Sequence, residues 1–253
     1  MLIGKAGAAT TSISTADAAS LTVRGRDLCG DLMGRLSFTE YFHLLVTGRE
    51  PTETQRFFLD LLLVAIAEHG RVPTNQAARM TYAADPGVLQ AAVAAGILGC
   101  GSVVLGTAEA CGRFLAEAKG KDLRAHVAAI RAGGGKVPGF GHPLHKPVDP
   151  RAQRILQLAE ERGAAGAHCA LAREAERVVP EVWGKALPMN VSLPIAAVLL
   201  DLDFPPAILK GIPILARTAS LLAHLAEESA NPIGFYMAAQ AEEAIAYRPE
   251  EAG

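Results

Sequence analysis

The sequence predicts a nearly all-α protein, and three observations carry that prediction. Half of the 253 residues are hydrophobic while only 5% are aromatic, so alanine and leucine supply the apolar surface, as in chains that pack close-set helices. Apolar residues recur at helical spacing along most of the chain, between capping and glycine stop signals. Alternating strand patterns are almost absent. The length suits one large or two modest domains.

In chain order, residues 1–20 read as irregular, and Val23-Arg24-Gly25-Arg26-Asp27-Leu28 reads as a turn leading into a helix. Ser37-Phe38-Thr39-Glu40 is a capping box, in which the serine hydroxyl accepts from a first-turn amide and the glutamate reaches back. Tyr41, Leu44 and Leu45 follow on one face, and Gly48 stops the helix. A second helix begins at Thr52-Glu53 and runs through Phe57, Leu61, Val64 and Ile66 to His69-Gly70. Helical periodicity continues near 74–84, 86–99, 107–118, 122–132, 150–161, 165–179, 191–203, 205–211 and 213–229, with an Ala/Glu-rich tail after Tyr236.

The formal net charge of −2 gives no general attraction to nucleic acid or to an anionic membrane. Cys29, Cys100, Cys111 and Cys169 form no CxxC pair, and their spacing fits neither a zinc site nor a small disulfide scaffold. They read as scattered buried thiols of a reducing compartment. The start, Met1-Leu2-Ile3-Gly4-Lys5, lacks the pattern of a secretory signal, and Leu193 to Leu202 is too short to span a bilayer. These features predict a cytoplasmic protein.

The stretch Gly139-Phe140-Gly141-His142-Pro143-Leu144-His145-Lys146-Pro147-Val148-Asp149-Pro150-Arg151 is the most informative in the chain. Two glycines permit unusual backbone angles and three prolines stiffen what lies between them. Such a run makes a poor core element and a good rigid turn that aims His142 and Arg151. A loop whose histidines merely cap neighbouring carbonyls is the alternative for a lone histidine; the combination points to a site.

This loop resembles the GFGH…K…DPR signature of the citrate synthase family, which includes the citryl-CoA lyases. Leu36-Ser37-Phe38-Thr39-Glu40 through Gly48-Arg49-Glu50-Pro51-Thr52, Glu68-His69-Gly70 and Ala216-Arg217-Thr218-Ala219…Ala223-His224 resemble further segments of that family, in the same order. The resemblance implies a large helical domain of residues 1–104 and 194–253, a smaller one of 105–193, and a cleft between them holding a dicarboxylate such as oxaloacetate or part of citrate. It also implies a homodimer, the commonest oligomer form. His142 would be the catalytic imidazole. It would polarise the ketone in condensation and accept the tertiary hydroxyl proton in cleavage. Arg151 and Arg217 would bind the carboxylates through paired hydrogen bonds, with His69 as a further ligand. Lys146 would meet the phosphates of coenzyme A, whose thioester is a substrate rather than a tightly bound cofactor. An interhelical salt bridge for Arg217, a helix cap for His69 and plain solvation for Lys146 are the alternatives.

Two positions depart from the family pattern. Val104 stands where the family has the histidine that stabilises the thioester enolate, and Ser192 where it has the aspartate that moves the α-proton. Losing an oxyanion donor typically costs about two to three orders of magnitude in rate, and losing a general base about two to four. Ser102, Thr107, Glu109 and His145 stand nearby as substitutes or as caps and packing residues. Two functions from different classes follow. One is an enzyme that makes or breaks the carbon–carbon bond between a 2-oxo acid and an acyl-CoA. The other is a non-catalytic relative that binds a dicarboxylate or CoA ester. A scaffold without ligand is the third possibility.

Overall fold

The computed structural model describes residues 9–101, 104–142 and 145–249. Two compact units, Met1–Asp60 and Leu61–Gly253, divide the chain, with the boundary inside one helix.

The first unit opens with a small antiparallel sheet of β1 (Ser14–Ala16), β2 (Leu21–Val23) and β3 (Arg26–Asp27). Arg24 and Gly25, both at positive φ, form the two-residue turn that joins β2 to β3. The sequence predicted irregular chain and a turn here; the turn is present, but it closes a hairpin. The strands escaped notice because two or three residues are too few to show alternation. A single π-helical turn, Leu28–Leu32, follows. The capping box forms as predicted: Glu40 N–H donates to Ser37 Oγ, and Ser37 N–H donates to the Glu40 carboxylate. It starts α1 (Phe38–Thr47), which ends at Gly48 in the left-handed region. Val23, Leu32 and Leu44 form this unit's core, with Leu28, Leu36, Tyr41 and Leu45 packed on it. α2 (Glu53–Ala67) crosses into the second unit and stops two residues before His69.

The second unit continues with α3 (Pro73–Ala84), α4 (Leu89–Leu98), α5 (Thr107–Ala118), α6 (Leu123–Ala132), α7 (Pro150–Glu161), α8 (Ala167–Trp183), α9 (Ser192–Asp201), α10 (Gly211–Ala230) and α11 (Gly234–Ala244). These match the predicted helices closely, with two differences. The predicted 205–211 helix is a single 3-10 turn, Pro206–Ile208, after which α10 starts at Gly211. α11 lies where the sequence shows only an Ala/Glu-rich tail; its Phe235 and Tyr236 are exposed, so it shows no buried stripe.

α9 is apolar on all sides and buried from Leu193 to Leu199, as a central helix must be. α5, α7 and α8 pack around it. Asp201, which ends the apolar run, accepts the amides of Gly166, His168 and Cys169 at 2.8–2.9 Å and so caps the start of α8. A second cluster unites α3, α4 and α10 through Ala78, Ala92, Leu221 and Leu225. The run Pro206–Ala230 is long and apolar enough to cross a membrane by length and composition. It carries Arg217 and Glu228 buried at 2% exposure each, as a core helix does. Cys100, Cys111 and Cys169 are buried as predicted, whereas Cys29 is exposed. Burial pushes the Cys111 and Cys169 thiols far up, so both are inert thiols.

Candidate functional site

His142 is aimed by a short backbone clamp. Gly139 and Gly141 sit at φ +86° and +87°, a region that side chains rarely adopt. The Asn190 amide donates to the Gly139 carbonyl, and the Gly141 amide to the Pro188 carbonyl, both at 2.8 Å. Asn190 Nδ2 adds a bond to the Gly141 carbonyl at 3.0 Å. A Cβ on Gly139 would lie 2.7 Å from Leu193 Cβ and 3.0 Å from Cys111 Sγ, so the loop lies directly on α5 and α9.

Arg151 is set by Asp149. The Asp149 carboxylate is fully buried, caps α7 through the Arg151 amide at 3.1 Å, and accepts the Val191 amide at 3.2 Å. It also receives Arg151 Nε and Nη2 at 3.1 and 2.9 Å. Burial pushes Asp149 up, but the Arg151 guanidinium and amide outweigh it and hold the carboxyl below the usual carboxylate range. Arg151 therefore arrives already paired, with Nη1 outside the pair.

Arg217 is different. It projects from α10 with only 2% exposure, and Nη1 donates to Asn75 Oδ1 at 2.8 Å. Among the described residues no carboxylate forms an ion pair with it, and its Nε has no hydrogen-bond partner. Burial draws its pKa below the ordinary arginine value, and Glu68 opposes this only from a distance. Glu68 itself is committed to its own turn: it accepts the His69 and Gly70 amides at 2.9 and 2.7 Å, the Ser220 hydroxyl, and His224 Nε2 at 3.0 Å. Asn75 Nδ2 donates to the Gly70 carbonyl at 2.9 Å, so one asparagine ties the His69 turn to Arg217.

These side chains converge. A cavity of about 300 Å³ is lined by His69, His142, Arg151 and Arg217 on its polar side and by Ile66, Val72, Val104 and Leu105 among others on its apolar side. Ser192 and Thr107 line it too. His69, His142, Arg151 and Arg217 are thus brought together, and the two departing positions face the same space. Leu105 holds φ +63°, in the left-handed region, in the turn before α5 and adds a side chain to the cavity wall. Lys146 is exposed on its loop. Glu109 pairs with Arg113 at 2.7 Å on α5, and Ser102 lies outside the described residues.

The three imidazoles form a compact group. His69 Nε2 and His142 Nε2 are 3.2 Å apart with the rings nearly parallel, at 14°. His145 lies 4.5 Å from His142 between ring centroids, and its main-chain N–H donates to His142 Nδ1 at 2.9 Å. Burial, the neighbouring His145, and then His69 and Arg151 lower the His142 pKa against the pull of Asp149, which favours the neutral ring. Because Nδ1 accepts an amide proton, the neutral ring carries its own proton on Nε2. The ligand-capable ring atoms of the three histidines lie within 4.8 Å of one another, a spacing a metal ion could use. A metal would require a lone pair on each nitrogen facing it, and His142 presents a proton at Nε2 instead.

Sequence reasoning did not single out Asn75 or the role of Asp149. For Asp149 a signal existed: Asp before Pro at a helix start is a cap followed by a favoured first-turn residue. For Asn75, 142 residues from Arg217, no local pattern marks the pairing.

Comparison with known proteins decides the family. The family description "Citrate synthase, C-terminal domain" matches residues 36–234. The chain belongs to the citrate synthase family. It is 32% identical over 205 residues to the citrate synthase of Synechocystis sp., covering 77% of this chain and 50% of that protein. The chain spans about half the length of the curated relatives it matches. A structure of citryl-CoA lyase from Hydrogenobacter thermophilus superposes with a TM-score of 0.87 at 29% identity, covering 98% of this chain and 97% of that one. ATP citrate lyase from Methanothrix soehngenii, solved in complex with citrate and coenzyme A, superposes with a TM-score of 0.78 at 22% identity, covering 98% of this chain and 43% of that one, which speaks to the fold alone. The all-α, citrate synthase-like fold expected from the sequence is the one observed.

Proposed function

We propose that this citrate synthase family member binds a 2-oxo or hydroxy polycarboxylate in the His69–His142–Arg151–Arg217 cavity. In this reading it makes or cleaves the carbon–carbon bond joining a 2-oxo acid to an acyl-CoA. The observation that carries the reading is Arg217, a buried guanidinium beside a cavity, which has no counter-anion, and no partner for its Nε, among the described residues. Such a charge is costly to keep unless a ligand completes it, and a carboxylate matches the two-pronged edge of a guanidinium. Arg151, neutralised by Asp149, adds donors without adding net charge. In this reading the His142 Nε2–H, at the cavity wall beside His69, would donate to the ketone or hydroxyl oxygen of the same ligand. Coenzyme A enters as the thioester substrate. Lys146 is the residue proposed to meet its phosphates from the loop surface. A cytoplasmic homodimer is part of the same proposal.

A second reading, a binder without turnover, is favoured by Val104 and Ser192. Both face the cavity and neither can replace an imidazole donor or a carboxylate base at neutral pH. Incubation with citryl-CoA, and separately with acetyl-CoA plus oxaloacetate, followed by detection of free coenzyme A and of acetyl-CoA, tests the first reading. Turnover abolished by His142→Ala supports it; binding of citrate with no turnover selects the second.

A further inference from the structure

We infer that His69, rather than His142, accepts the proton of the ligand's tertiary hydroxyl, and that the two histidines together recognise an alcohol in preference to a ketone. This rests on the polycarboxylate reading of the cavity and goes beyond it. The observation is the polarity of the pair. The His145 main-chain N–H donates to His142 Nδ1 at 2.9 Å. A proton at that nitrogen would point at the amide hydrogen, so His142 holds its proton on Nε2. Nε2 of His142 lies 3.2 Å from Nε2 of His69. Two N–H groups cannot face each other at that distance, so His69 Nε2 carries the lone pair and the His69 proton sits on Nδ1. The cavity therefore presents one donor and one acceptor side by side. An oxygen about 2.8 Å from each nitrogen forms the apex of a triangle over the pair. A hydroxyl there accepts from His142 Nε2–H and donates to His69 Nε2. A ketone oxygen accepts from His142 but leaves two lone pairs opposed at His69. Accepting the proton at His142, as the family resemblance suggested for cleavage, would need the lone pair that the His145 amide occupies.

The step balances as follows. The hydroxyl O–H bond breaks and its proton passes to the His69 Nε2 lone pair. The O–H electron pair becomes the second bond of the new ketone. The bond between the carbinol carbon and the thioester α-carbon breaks, and its electrons leave as the thioester enolate. The enolate carbon then takes a proton from water, and the hydroxide so formed removes the proton from His69, restoring the neutral ring. The products are a 2-oxo acid and an acyl-CoA.

The test compares citrate with propane-1,2,3-tricarboxylate, which lacks only the hydroxyl, by calorimetric titration of the intact protein and of His69→Phe. The intact protein is expected to bind citrate at least about tenfold more tightly, the effect of the two hydrogen bonds that the hydroxyl makes with the pair. His69→Phe is expected to lose that preference, its affinity for citrate falling by a larger factor than its affinity for the deoxy compound. Nitrogen-15 spectra of the histidines give a second readout that needs no variant: His142 protonated at Nε2 and His69 at Nδ1. Equal affinities in the intact protein, an undiminished preference in His69→Phe, or the reverse tautomers would overturn the inference while the carboxylate site stands. Failure to bind either compound would overturn both.

Discussion

Asn75 Oδ1 accepts a hydrogen bond from Arg217 Nη1 at 2.8 Å, and both side chains are buried. It is the only hydrogen bond to the Arg217 guanidinium among the described residues. Replacing Asn75 with alanine removes that acceptor and strands the charge further. We expect Asn75→Ala to lose about 1–3 kcal/mol of stability in urea titrations. Oxaloacetate should restore more stability to the variant than to the parent if it still binds. An unchanged unfolding midpoint would show that water replaces the contact.

Gly139 tests the clamp that aims His142. In Gly139→Ala the new methyl meets Leu193 Cβ at 2.7 Å and Cys111 Sγ at 3.0 Å, at a φ of +86°. The variant should be destabilised by roughly 1–3 kcal/mol from left-handed strain and overpacking. It should also bind dicarboxylate more weakly, because the loop must move. Thermal unfolding and titration of the same sample read both effects.

Asp149 gives a pH signature. Its carboxyl is held below the usual range in the folded protein, so it contributes stability that is present above the unfolded carboxylate pKa of about 3.9 and is lost as pH falls through the lower folded value. Asp149→Asn should therefore cost about 3–5 kcal/mol near neutral pH, where Arg151 loses its partner. The gap between the two proteins should narrow below pH 4 in denaturant titrations. A gap independent of pH would mean that Asp149 acts as a helix cap alone.

Much of this was legible in the sequence, for identifiable reasons. The Ser37–Glu40 capping box is a four-residue local pattern, and it formed as written. The Gly139–Arg151 loop is equally local, and it delivers His142 and Arg151 to the cavity. The sheet was missed because Ser14–Ala16 and Leu21–Val23 are too short to alternate. α11 was missed because it fully buries only Gly234 and leaves Phe235 and Tyr236 exposed, so no apolar stripe marks it. The tautomer of His142 was beyond sequence altogether, since it depends on where one main-chain amide points.

Val104 and Ser192 both face the cavity. Introducing histidine at 104 and aspartate at 192 together should raise thioester cleavage or condensation more than the two single changes combined, because donor and base would act on one enolate. Steady-state assays of the four proteins form a double-mutant cycle. Robust activity in the parent, unaffected by Ser192→Ala, would place the chemistry on other residues.

The central claim is that Arg217 waits for an anion, and its most direct test is Arg217→Met titrated with oxaloacetate and with citrate in a calorimeter beside the parent. Methionine fills much of the same volume without a charge to bury, so the variant should fold with an unfolding midpoint no lower than the parent's. Its affinity should fall more than tenfold, since a charge-assisted, paired contact is gone. Binding as tight as the parent's would contradict the account.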